Sequence, residues 1–287
     1  MSKSAPKYSI IIPAFNETHI IGQVIEDVKR VFSKENYEIF VIDDGSEDDT
    51  AKAATQHGVK VIKHLRNKGY GASLKSGVQA AHGEYVLFMD ADGQHRGQDA
   101  HKLLEYARSY DMVIAQRIQL MHSPLWRMPG KWLLKLMANY LTRQHIPDLN
   151  SGLRIIKRDI VMRFMHLCPQ GFSFSTTITL ILFNRGYDIK YVPFEIKKRV
   201  GKSTVSLATG FDTLLLIIRI ATLIEPLRIF VPFSLITGLI GLAWGIPYAL
   251  AGHGVSTGSM LAIVTAVLLF SIGLISDQIS QMRLENL

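Results

Sequence analysis

The chain is poor in cysteine: it has one, Cys168, so no intrachain disulfide can form. No His/Cys grouping has zinc-ligand spacing, so Cys168 is expected to be a small buried residue. The amino-terminus lacks apolar length. MSKSAPKYSIIIPAFNE holds a run too short for a signal peptide and no cleavage pattern, so the first part of the chain is expected to stay in the cytoplasm. No helix-turn-helix, zinc-finger or RNA-binding signature appears, which argues against nucleic acid as a partner. GKST at Gly201 to Thr204 lacks the glycine that a phosphate-binding NTPase loop needs five positions earlier, where Ile196 stands. Charge is nearly missing from the last third. From Val205 onward only Asp212, Arg219, Glu225, Arg228, Asp277, Arg283 and Glu285 carry it.

What is present divides accordingly. Of 32 basic and 24 acidic residues, 29 and 20 lie before Val205, a net charge of +9 on that part. A basic domain joined to an apolar tail suits an anionic membrane surface and anionic substrates. In the tail, residues 229–251 and 259–276 are uncharged runs joined by GHGVSTG, and each is long enough to cross a bilayer. They predict a membrane hairpin in which Gly238, Gly241 and Gly245 let the helices approach. Basic residues before the first span and Arg283 after the second predict cytoplasmic termini. Residues 124–141, with Trp126, Arg127, Lys131, Trp132, Lys135 and Tyr140, read as a helix lying at a membrane surface. Residues 206–228 read as a second, juxtamembrane one.

The first 205 residues alternate strand and helix signals. Strands are predicted over Tyr8–Ile12, closed by Pro13, and over Ile39–Ile42, Val59–Ile62, Tyr85–Met89 and Met112–Ala115. Between them, Ile20 to Phe32 has helical spacing with Asn16 or Thr18 as cap. Helices are also expected over Thr50–His57, from NKGYGASLKSG, and around Asp99–Ser109. Repeated β-α units predict a parallel sheet covered on both faces, whose ligands gather at the carboxyl ends of the strands. Three such ends carry Asn16 and Glu17, Asp43 and Asp44, and Asp90 and Asp92. The last pair, in YVLFMDADGQH, can present oxygen to a hard divalent cation that shares its coordination with substrate phosphates. Asp and Gly also build ordinary polar turns. His95 and His101 read as exposed turn or helix residues rather than ligands.

SIIIPAFNE, VIDDGSEDDT, NKGYGASLKSG and DADGQH resemble, in order and spacing, the motifs of the family-2 glycosyltransferases. DLNSGLRIIKRD, GFSFSTTITL and YVPFEIKKRVGKST resemble the polyprenyl-phosphate branch, which includes dolichol-phosphate mannose synthase. The resemblance implies a GT-A type, Rossmann-like, mostly parallel α/β sheet followed by interfacial helices and a two-helix membrane hairpin. It implies Mg²⁺ or Mn²⁺ at Asp92 and Gln94, with Asp90 on the ribose or a metal-bound water. Pro13, Phe15, Glu17, Ile42, Asp44 and Ala91 would line the nucleotide-sugar site, with Phe15 where the family more often has tyrosine. Arg117, just past the fifth predicted strand, and Arg199 and Lys202, in an RVGKS loop over Lys198 to Lys202 that is shorter than in the mannose synthases, would hold phosphates. Asp148, Ser151 and Gly152 would shape the acceptor side, with Arg127 and Lys131 at the head groups. The implied reaction is inverting transfer of a hexose from GDP-mannose or UDP-glucose to a polyprenyl phosphate at the cytoplasmic face. An ionised lipid phosphate needs positioning more than a strong base, which suits a chain without an evident His–carboxylate couple. Two other readings are transfer to a growing polysaccharide, whose synthases usually carry a Q-x-x-R-W motif that is missing here, and a non-catalytic membrane scaffold. A homo-oligomer is a further expectation.

Overall fold

The computed structural model describes residues 5–118, 136–137, 139–171, 173–195, 218–219 and 222–285. Two compact units divide the chain, residues 1–209 and 210–287.

In the first unit seven strands form one sheet: β1 (Tyr8–Ala14), β2 (Tyr37–Asp43), β3 (Lys60–Lys63), β4 (Tyr85–Phe88), β5 (Met112–Arg117), β6 (Arg154–Lys157) and β7 (Ile189–Phe194). Their order is β3-β2-β1-β4-β6-β5-β7. All neighbours are parallel except β6, which runs against both β4 and β5. The expected parallel sheet is therefore mixed, though mostly parallel. The short run RIIK did not read as a strand, and its antiparallel entry between β4 and β5 breaks the β-α repeat.

The helices are α1 (Ile21–Phe32), α2 (Thr50–Gln56), α3 (Tyr70–Ala80), α4 (Gly97–Ala107), α5 (Arg158–Phe164) and α6 (Phe174–Asn184). α1 buries Ile21, Val24, Ile25, Val28 and Phe32, one stripe at helical spacing. With Leu103 and Leu104 of α4 this stripe covers the sheet face that carries Ile10, Ile12 and Leu87. The opposite face takes α3 and α6. A Cβ on Gly77 would meet the Ile11 side chain at 2.4 Å, and Phe88 meets Phe174 edge to face. Neither Asn16 nor Thr18 caps α1: Ile20 holds that position without a side-chain bond.

β1 runs through Pro13 rather than stopping at it. The Ile11 carbonyl accepts from Met89 of the β4 side and the Ala14 carbonyl from Asp44 of the β2 side. Alternation then turns the position of Pro13 toward β4, beyond the last β1–β4 pair, Ile11 with Phe88. The missing N–H falls where no ladder partner is needed. β1 and β4 diverge at that point, with β2 and β3 on one side and the remaining strands on the other. This is the switch point at which open α/β sheets bind ligands.

The second unit is a hairpin of α7 (Leu227–Tyr248), a π-turn (Ala249–His253) and α8 (Thr257–Glu285). Both arms are long and apolar enough to cross a membrane, over Leu227–His253 and Thr257–Arg283. Leu239, Trp244, Leu261 and Val267 are exposed along them, as lipid-facing side chains are. α8 continues past Ser276 to Glu285, and the connection is shorter than GHGVSTG suggested. The glycine stripe behaves as expected. Cβ atoms on Gly241 and Gly245 would meet Ile263 at 2.9 Å and Ser259 at 2.7 Å. Most of the expected interfacial helix at 124–141 and of the segment 206–228 lies outside the described residues.

Candidate active site

The first two loops at the switch point are sewn together. Asn16, at φ +56°, donates its backbone N–H to the Ser46 hydroxyl, and its side-chain oxygen accepts from the Glu47 N–H. Glu17 and Thr18 N–H groups bond Thr50 and Asp48. This leaves Phe15 at the rim, 37% exposed. Asp43 is fully buried. One oxygen accepts the Ser46 N–H, and the other has no hydrogen-bond partner among the described residues. Asp44 accepts from the backbone N–H of Lys68 and of Gly69, and bonds His64 Nδ1 at 2.6 Å. His64 Nε2 meets the Ser76 hydroxyl at 2.9 Å, which fixes the ring. Asp44 thereby organises the turn that opens α3. Pro13, Ile42 and Ala91 are buried, so a nucleotide could reach them through backbone alone.

The third loop carries the paired carboxylates. Gly93 adopts φ +69°, and Asp92 accepts the Gln94 N–H. Asp90 accepts a hydrogen bond from the Tyr70 hydroxyl at 3.0 Å. Its carboxylate lies against Gly152, where a Cβ would fall 1.9 Å from Oδ2. Gly152 is in this sense part of the site. Behind it Arg117 holds Asp148 in a two-pronged bond, Nε and Nη2 each at 2.7 Å. That bond raises the Arg117 pKa, with a further contribution from the Asp90 charge. Burial works to raise the Asp148 pKa, but Arg117 and the Asn150 N–H outweigh it and hold it low. His95 is buried rather than exposed, and burial lowers its pKa despite the neighbouring Asp92. His101 is partly exposed and packs edge-on to Phe32. Cys168 is buried, as expected, and its thiol pKa is pushed up to about 12 by burial.

The fold thus brings Asp90, Asp92, Arg117, Asp148, Ser151 and Gly152 to the carboxyl end of β4 and its neighbours. Arg127, Lys131, Arg199 and Lys202 lie outside the described residues. Among the described residues no three His, Cys, Asp or Glu side chains converge as a ready metal cage. The donor set still fits Mg²⁺ or Mn²⁺. Such ions take one or two carboxylates and complete an octahedron with phosphate and water, and Asp92 offers a hard oxygen on a buried turn at the end of β4. Three supporting residues escaped sequence reasoning: His64, Tyr70 and Arg154. The last carried a signal, a cation at the head of the apolar run RII.

A family model for glycosyl transferase family 2 matches residues 9–164, and one for the GtrB C-terminal hairpin matches residues 225–282. The chain belongs to glycosyl transferase family 2. The resemblance to its polyprenyl-phosphate branch is thereby borne out. Over its length this glycosyltransferase is 30% identical to the putative glycosyltransferase CsbB of Bacillus subtilis, covering 97% of this chain and 88% of that one. It is 26% identical to an undecaprenyl-phosphate 4-deoxy-4-formamido-L-arabinose transferase of Klebsiella pneumoniae, covering 84% and 75%. Among solved structures it resembles glucosyl-3-phosphoglycerate synthase of Mycobacterium tuberculosis, with a TM-score of 0.62 at 20% identity, over 76% of this chain and 79% of that one. At that identity the likeness concerns the fold alone.

Proposed function

We propose that the protein transfers a hexose, with inversion, from a nucleotide-sugar to a polyprenyl phosphate at the cytoplasmic face of a membrane. The observation that carries this reading is the Asp90–Asp92 turn at the switch point of a family-2 sheet, in a chain that ends in a GtrB-type hairpin. The names of the relatives support the acceptor, since the Klebsiella enzyme acts on undecaprenyl phosphate. The Mycobacterium synthase was solved with Mn²⁺ and UDP-glucose, which supports a metal-assisted donor site. GDP-mannose and UDP-glucose are the donors to try first.

Each residue has a defined task in this reading. Asp92, with Gln94 beside it, would hold Mg²⁺ or Mn²⁺, which when bound offsets the charge of the departing diphosphate. Asp90 orients the ribose or a metal-bound water. Phe15 at the rim offers a face to the base, and Glu17 and Asp44 support that wall. Arg117, Arg199 and Lys202 stabilise phosphate charge as it develops. The acceptor oxygen is already ionised, so Asp148, Ser151 and Gly152 serve to place it rather than to take a proton. The hairpin keeps the reaction where the lipid resides. The test is transfer of radiolabel from a panel of nucleotide-sugars to a short polyprenyl phosphate by protein held in lipid, with Mn²⁺ or Mg²⁺. Metal-dependent label from one donor, lost in Asp92→Asn, is the expected result. A folded wild type that labels no lipid from any donor sinks the reading.

A further inference from the structure

Arg154 is wholly buried in the middle of the sheet, opposite Phe88 of β4 and Ile114 of β5. Burying a guanidinium is costly unless its charge is paired and its N–H groups are bonded. Among the described residues no carboxylate lies within ion-pair distance of it, and burial lowers its pKa. What it has is three neutral acceptors that take four of its hydrogen bonds. Nε and Nη2 both point at the Ser151 carbonyl, and Nη1 donates at 2.9 Å to the Ser175 carbonyl and at 2.9 Å to the Thr179 hydroxyl.

Those acceptors lead to one place. Ser151 directly precedes Gly152, whose bare Cα makes the notch that receives the Asp90 carboxylate. Ser175 lies beside the Tyr70 hydroxyl, which donates to Asp90. One planar fork therefore holds both surfaces that touch Asp90, the Gly152 backbone through Ser151 and the Tyr70 ring through Ser175. Lysine lacks this geometry, because a single ammonium cannot reach the two carbonyls in the same fixed fork.

We propose that Arg154 and Tyr70 are positioning residues that set the orientation of Asp90, and with it the affinity for the donor–metal complex. This rests on the glycosyltransferase reading and adds to it the device that aims the first carboxylate of the pair. Nothing in sequence spacing joins these residues: 84 positions separate Tyr70 from Arg154.

The experiment uses the full chain in lipid nanodiscs and measures binding of Mn²⁺ in the presence of UDP or GDP by electron paramagnetic resonance. KM values for donor and lipid phosphate follow from the transfer assay. Tyr70→Phe keeps the ring and removes the bond to Asp90, with folding checked by circular dichroism. It is expected to weaken Mn²⁺–nucleotide binding and raise the donor KM by about tenfold, the usual size for a lost supporting partner. The KM for the lipid phosphate should stay unchanged. Arg154→Lys, which keeps the charge, should do the same, and the double variant should be no worse than about the poorer single one, since both act through Asp90. Tyr70→Phe within twofold of wild type in both measurements overturns the proposal, as does an equal rise in both KM values. A wild type that binds neither Mn²⁺–UDP nor Mn²⁺–GDP removes the underlying reading as well.

Discussion

Gly152→Ala tests the site at a single methyl group. Gly152 lies outside the left-handed region, so alanine suits its backbone. The added Cβ would stand 1.9 Å from Oδ2, 2.4 Å from Cγ and 2.5 Å from Oδ1 of Asp90. A carbon and an oxygen approach to about 3.3 Å at closest. The carboxylate must therefore retreat by about 1.4 Å, through rotation of the whole side chain, because all three of its terminal atoms clash. That movement breaks the 3.0 Å bond from Tyr70. Overpacking at a site edge costs about 1–3 kcal/mol of stability, within reach of an otherwise stable domain. Misplacing a positioning group by about 1 Å costs on the order of 10²-fold in rate. The expected outcome is a folded protein, with thermal unfolding lowered by a few degrees and sugar transfer down about a hundredfold. Transfer within threefold of wild type, in a protein that is folded and lipid-bound, would refute the reasoning.

Three further outcomes follow from the same geometry. Asp148→Asn removes one acceptor of the two-pronged Arg117 bond. Because the Asp148 side chain is only 9% exposed, stability should fall by about 1–3 kcal/mol while the donor KM rises about tenfold; an unchanged KM would separate Arg117 from phosphate binding. Acid should act in two stages. Burial depresses the His95 pKa, so its share of stability is present above 6.5 and is lost as pH falls through the lowered value. Glu38 and Asp111 are held low despite burial by Lys60 and Lys157 with their other partners, so their share goes only as pH falls below 4.5 and 3.8. His95→Gln should abolish the first stage alone, and an unaltered melting profile between the two stages counts against it. In the hairpin, Gly241→Leu drives a side chain into Ile263 and Ala262. Its melting temperature in detergent should fall while helix content by circular dichroism persists. No change would mean that the arms do not pack along the glycine stripe.

Most of the architecture was legible because it is local. The strands β1 to β5 and the helices between them follow from apolar periodicity, and their ends from turn residues. β6 and β7 escaped because they fall outside the β-α repeat of the first half, and β6 runs against its neighbours. His95 was misjudged for a related reason. A polar residue in a DADGQH turn looks solvated until the chain that covers it is known. The length of β1 depended on its neighbours too, since a proline ends a strand only where a ladder bond is required.

By itself the sequence determined the alternating α/β order, the acidic strand ends, the family-2 motifs and the two apolar spans. These are encoded in residue type and short-range spacing. Tertiary structure alone decided that β6 enters between β4 and β5 and that Gly152 meets Asp90. It also decided that a buried arginine ties the Ser151 and Ser175 carbonyls together. Those contacts join residues up to 72 positions apart, and no local periodicity carries such pairings. They exist because a wholly buried guanidinium and a crowded carboxylate each need partners that only the folded sheet supplies.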